Sequence, residues 1–121
     1  MRKSIAIISL QLLLIVFAPT IMSQNVNVNP GAGSYPTLKA AFDAINSGVH
    51  TGAVTVSILG NTTETQTAIL NASGVGNASY SNLTITPSGG SRTITGNDTV
   101  TIRFSGADNV TIDGRIGGSG R

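Results

Sequence analysis

The sequence predicts an all-β chain wound as a parallel solenoid behind one N-terminal helix. Three observations predict it. After Gly52 the pattern changes to period two, in short Thr-rich or β-branched segments at 53–59, 64–70, 81–87, 91–96, 99–106 and 109–114, with no later helical stripe. The triplets Val54-Thr55-Val56, Leu83-Thr84-Ile85 and Val110-Thr111-Ile112 begin 29 and then 27 residues apart, with room for two further short strands between the second and third. A third feature is the absence of cysteine, which leaves packing and backbone hydrogen bonds to hold the chain. A solenoid whose coils each contain about three strands gives this spacing directly. In an antiparallel sandwich the near-constant offset would be coincidence.

The first element is a targeting segment. Arg2 and Lys3 precede an apolar run from Ile5 to Ala18, followed by small and polar residues. This is the layout of a secretory signal peptide over residues 1–23, with Gln24 as the first mature residue. The apolar run is shorter than the roughly 18–20 residues that span a bilayer, so no membrane span is expected once it is removed. Removal also takes away two cations. Lys39, Arg92, Arg103, Arg115 and Arg121 then balance Asp43, Glu64, Asp98, Asp108 and Asp113. A neutral chain gives no support to a nucleic-acid partner or an anionic membrane surface.

Residues 24–35 form a lead-in. Val26 and Val28 alternate before Pro30 and Gly31 break the pattern, which reads as a short strand and a turn. Residues 36–48 follow as a capping helix: Leu38, Ala41, Phe42 and Ile45 make one apolar stripe, with Thr37 as N-cap and Gly48 as the αL stop. Its expected role is a lid over the apolar end of the coils. Residues 53–121 are the coils themselves, two to three of them. Val54, Leu83 and Val110 form one inward column and Val56, Ile85 and Ile112 a second, while Thr55, Thr84 and Thr111 point outward between them.

The run from Gly33 to Thr65, GSYPTLKAAFDAINSG followed by AVTVSILGNTTET, resembles the start of right-handed parallel β-helix proteins of the pectate-lyase-like superfamily. There, a helix covers the first coil. Together with the stretch from Leu70 to Gly96 and ADNVTIDG, it is also similar to N-terminal regions of large surface proteins exported by type IX systems of Gram-negative bacteria. The resemblance implies a right-handed β-helix, export to the cell surface or medium, and a chain that is the front of a longer product. It carries little biochemistry.

The superfamily includes polysaccharide lyases and hydrolases, whose chemistry needs carboxylates on a shared face. Asp113 falls in the outward column beside Ser57 and Thr86, neither of them acidic, while Asp108 precedes the strand and Asp98 lies in the turn after Gly96, both off this face. No catalytic residue, metal ligand set or cofactor site is expected in these residues. His50, the only histidine, reads as an exposed loop residue without metal or triad partners. The glycine-rich pieces lack the Gly-Lys-Ser/Thr of a phosphate loop and read as turns. Asn-x-Ser/Thr sequons begin at Asn61, Asn71, Asn77, Asn82, Asn97 and Asn109, where Asn serves turns and Thr serves strands. Asp98-Thr99-Val100 resembles an O-glycosylation site of the same bacterial group, which makes Thr99 the candidate acceptor.

The expected function is therefore a non-catalytic structural or adhesive module. Thr55, Thr84, Thr111 and Asp113 are the candidates to face carbohydrate or a cell surface. The alternative is the N-terminal end of a lyase or glycoside hydrolase whose acids lie beyond Arg121. A third expectation is self-association through the open end of the solenoid.

Overall fold

A computed structural model describes residues 23–116. The segment read as a signal peptide lies outside the described residues, apart from Ser23. Strands dominate, with one helix: β1 (Gln24–Val28), α1 (Leu38–Asn46), β2 (Gly52–Ile58), β3 (Thr62–Glu64), β4 (Ala68–Asn71), β5 (Tyr80–Pro87), β6 (Ile94–Gly96), β7 (Ile102–Ser105) and β8 (Val110–Ile112). They pair into three sheets, one of order β1-β2-β5-β8 and two of order β3-β6 and β4-β7. Every named strand pairing is parallel. From β2 onward the chain visits the sheets in one fixed order and then repeats it. This is an all-β type of fold with parallel sheets and one helix.

The register follows from the alternation. Val54 pairs with Leu83 and Leu83 with Val110, while Val56 pairs with Ile85 and Ile85 with Ile112. A shift of one residue would turn both columns outward, so burial of one face fixes the register. β1 belongs to the same sheet, with Val26 opposite Val56 and Val28 opposite Ile58. The lead-in strand thus adds one more member to the second column, and Val26, Val56 and Ile85 are all buried.

Three expectations about strands need correction. Residues 64–70, read as one strand, are two short ones separated by a corner at 65–67. Thr62 and Glu64 face inward opposite Ile94 and Gly96, and Ala68 and Leu70 face inward opposite Ile102 and Phe104. Residues 91–96 are strand only from Ile94, because Arg92 turns back to donate from Nε and Nη2 to the carbonyl of Ser88 at 3.0 and 2.8 Å. Finally, Val100 and Thr101 precede β7. Val100 is exposed, and its carbonyl accepts the Thr67 hydroxyl at 2.7 Å. Val100-Thr101-Ile102, identical in sequence to Val110-Thr111-Ile112, is thus a corner leading into a strand.

Helix α1 packs chiefly against β4 and also touches β1 and β3. Leu38, Ala41, Phe42 and Ile45 are fully buried in one cluster with Val54, Val56, Leu70 and Leu83. The Thr37 hydroxyl accepts the amide of Ala40 at 3.1 Å, as an N-cap should. At the other end Gly48 has φ +82 and donates to the carbonyl of Ile45, while Val49 donates to that of Ala44. An added Cβ on Gly48 would lie 2.7 Å from the carbonyl oxygen of Asn77. Glycine is therefore required there both by conformation and by the close approach of the 72–79 loop.

Candidate functional site

The four-stranded sheet buries one face and presents the other. Along β1, β2, β5 and β8 the residues that alternate with the buried columns form two ranks. The first runs Asn25, Thr55, Thr84, Thr111 and the second Asn27, Ser57, Thr86. Asp113 extends the second rank, its amide donating to the carbonyl of Ile85 at 2.9 Å. Neighbours within a rank are about 4.8 Å apart, and the ranks are two residues apart, about 6.6 Å. Asn25, Asn27 and Thr111 are exposed, and Thr55, Ser57, Thr84 and Thr86 are half-exposed. The result is a field of hydroxyl and carboxamide groups, each able to donate and to accept hydrogen bonds. Thr55, Thr84 and Thr111 stand side by side, as the triplets predict. Thr99 lies apart from them, exposed in the corner between β6 and β7.

Asp113 is the one charged member of the field, and its oxygens are engaged. Oδ1 accepts from Nε of Arg115 at 2.9 Å and from the Arg115 amide at 3.1 Å, and Oδ2 accepts from Nη2 at 2.8 Å. This two-pronged contact, with the backbone amide beside it, holds the Asp113 carboxyl at a pKa of about 2. Such a group stays ionised and paired at neutral pH, the opposite of what a general acid needs. Thr86 completes the local set by donating to the Arg115 carbonyl at 3.4 Å.

At the edge of the same field, where Ile58, Ile85 and Ile112 meet Ile94, is an open cleft of about 360 Å³. Thr86, Ser91, Arg92 and Asp113 give it a polar margin. A second cleft of about 190 Å³ lies beside Thr99, between Asp98 and Arg103. Among the described residues no group of three or more His, Cys, Asp or Glu side chains is placed to hold a metal ion. Nor is any helix there long and apolar enough to cross a membrane.

His50 is half-buried rather than exposed, and it has partners. Its Nε2 lies 2.8 Å from the hydroxyl of Tyr35 and its Nδ1 3.3 Å from Oε1 of Gln24, which also accepts the amide of Thr51 at 3.2 Å. The neutral ring satisfies both contacts at once, accepting from Tyr35 and donating to Gln24. Burial pushes its pKa below the ordinary 6.5. These contacts tie the start of β1 to the turn before β2, a positioning role that the sequence pattern did not reveal.

Two further residues were missed. Glu64 is 1% exposed, and its oxygens accept the amides of Leu38 and Lys39 at 2.9 Å each. The Thr62 hydroxyl donates to Oε1 at 3.0 Å. A buried carboxylate at a helix N-terminus satisfies amides that have no partner inside the helix and meets the positive end of its dipole. At the far end, the Asn46 carboxamide donates to the carbonyl of Ile69 and accepts the amide of Asn71, both at 2.9 Å. It treats β4 as a neighbouring strand would. The available signal for Glu64 was its place two residues after Thr62 in an alternating pair.

Comparison with protein-family models, curated proteins and solved structures returns no match. The function is therefore argued from this chain's own residues. The four aromatic rings of the described residues lie away from the polar field: Phe42 and Tyr80 are buried, Tyr35 bonds His50, and Phe104 sits on β7 with its ring 6.5 Å from that of Phe42.

Proposed function

We propose that this chain is the helix-capped start of a right-handed parallel β-helix in an exported bacterial protein. In this reading it is a non-catalytic structural or adhesive module whose polar field meets carbohydrate. The observation that carries the reading is the pair of in-register ranks, Asn25-Thr55-Thr84-Thr111 and Asn27-Ser57-Thr86. Sugar hydroxyls are recognised by groups that both donate and accept, and an array repeated about every 4.8 Å offers many such contacts, each individually weak. Export follows from the N-terminal layout of Arg2, Lys3 and the apolar run. Pairing of Asp113 with Arg115 favours the non-catalytic reading over a lyase or hydrolase within these residues.

The test is retention of the purified chain on immobilised polysaccharides, with reducing-end and unsaturated-product assays on the same material. Retention is expected, with no new chain ends, and a Thr55→Val/Thr84→Val double variant should lose most of it while keeping its melting temperature. Retention unaffected by that variant, or polysaccharide cleavage, contradicts the reading.

A further inference from the structure

The first rank of the polar field is an unbroken row of side chains. Asn25 stands opposite Thr55, Thr55 opposite Thr84 and Thr84 opposite Thr111. The register irregularity between β2 and β5 falls between Gly52 and Ala53, ahead of the row. The second rank ends on groups already engaged, with Thr86 and Asp113 both bonded to Arg115. The first rank is therefore the better seat for a ligand. Its three strand-to-strand steps cover about 14 Å, the length of about three sugar units.

Three properties of this row select among carbohydrates. It is uncharged, being built of hydroxyls and a carboxamide, and the one charged member of the field, Asp113, is paired with Arg115. Nothing in the row would offset the desolvation of a ligand carboxylate or sulfate. It also offers no aromatic ring, since Phe42 and Tyr80 are buried, Tyr35 bonds His50 and Phe104 belongs to β7. The C–H face of a pyranose has nothing there to stack on, so contact falls to its hydroxyl edge. The third property is the step of the row, about 4.8 Å across the strands against about 6.6 Å between outward residues along one strand. The rise per sugar of a fully extended chain of pyranoses β-linked through O4 is close to the first distance and well short of the second. In the cellulose type of chain the hydroxyls are equatorial and line the two edges of a straight ribbon. An α-linkage through O4 is axial and curls the chain, so that successive hydroxyls turn away from a straight row.

We infer that the first rank takes the hydroxyl edge of a neutral glycan β-linked through O4 with equatorial hydroxyls, lying across the strands from Asn25 to Thr111. This rests on the carbohydrate reading above and narrows it to one linkage, one charge class and one direction on the sheet. Each sugar meets a side chain that both donates and accepts, and each contact is weak. Affinity is therefore built by the number of sugars in the row.

The experiment is an amide NMR titration of the full chain with cellotetraose, maltotetraose and tetragalacturonate. The first two have the same composition and differ only in the anomeric linkage, and the third carries charge. Cellotetraose should shift the amides of Thr55, Thr84 and Thr111 and bind at least about tenfold more tightly than either of the others, with cellobiose weaker than cellotetraose. Thr55→Val/Thr84→Val should abolish the preference. Thr63→Val, which removes an exposed hydroxyl on β3 outside the field, should leave it intact. Equal or tighter binding of maltotetraose or tetragalacturonate, or shifts confined to residues outside the rank, would overturn the inference and leave the carbohydrate reading standing. No shift with any of the three, while a polysaccharide column still retains the chain, would also overturn the inference alone. Absence of both shift and retention would overturn the two together.

Discussion

Glu64 holds Leu38: the carboxylate of a residue on β3 accepts the first amide of α1 at 2.9 Å, 26 positions back along the chain. The same group takes the Lys39 amide with its other oxygen. The helix is thus fixed to the strand beneath it by hydrogen bonds as well as by its apolar stripe. Glu64→Gln retains one acceptor oxygen and places an NH₂ against an amide, so it should destabilise the chain by about 1–3 kcal/mol. Glu64→Leu, which removes both acceptors, should cost more. Urea denaturation at pH 7 measures both.

Asn46 fastens the other end of the helix. Its carboxamide makes two bonds to the backbone of β4, where no strand is available on that side. Asn46→Ala leaves a donor and an acceptor to water or to nothing, and should lower stability by about 1–2 kcal/mol. Slowed amide exchange at Asn71 should also be lost in the variant, which separates this role from a general loss of packing.

The His50 contacts make stability depend on pH in a defined direction. Burial lowers the pKa of the folded ring below 6.5, so the unfolded chain binds more protons over that interval. The contribution is complete above pH 6.5 and is lost as pH falls through the folded pKa. Melting temperatures recorded between pH 8 and pH 5 should decline on the acidic side, and His50→Gln should flatten that decline.

The pairing of Asp113 with Arg115 has a direct spectroscopic reading. A carboxyl carbon titration by NMR should place the Asp113 midpoint at about 2, and Arg115→Ala should return it toward the ordinary 3.8. The interaction is present above that ordinary value and lost as pH falls through the folded one.

Much of this fold is written in the alternation. The columns through Val54, Leu83 and Val110, the stripe of α1, and its Thr37 and Gly48 caps all follow from period and turn chemistry, because each depends on near neighbours in sequence. The corner at 65–67 did not, since it is defined by strands β6 and β7 some 30 residues later. Glu64 was hidden for the same reason: a carboxylate counts as exposed until a helix amide is placed beside it. The Val100-Thr101-Ile102 triplet shows the converse hazard, where a local pattern repeats without the same partners. Of the polar field, the Thr column was legible, whereas Asn25 and Asn27 joined it only once β1 took its place beside β2.

Parallel, in-register pairing of β2 with β5 underlies every later step, and the absence of cysteine permits a direct test. Double variants placing cysteine at Thr55 and Thr84, or at Thr55 and Thr86, can be oxidised under mild conditions and compared by the rate of disulfide formation, with a third pair at Ser57 and Thr86. Thr55 lies opposite Thr84, and Ser57 opposite Thr86. Both of these pairs should close quickly while the diagonal pair lags. An antiparallel arrangement cannot bring both together at one offset, so fast closure of one with failure of the other would contradict the account.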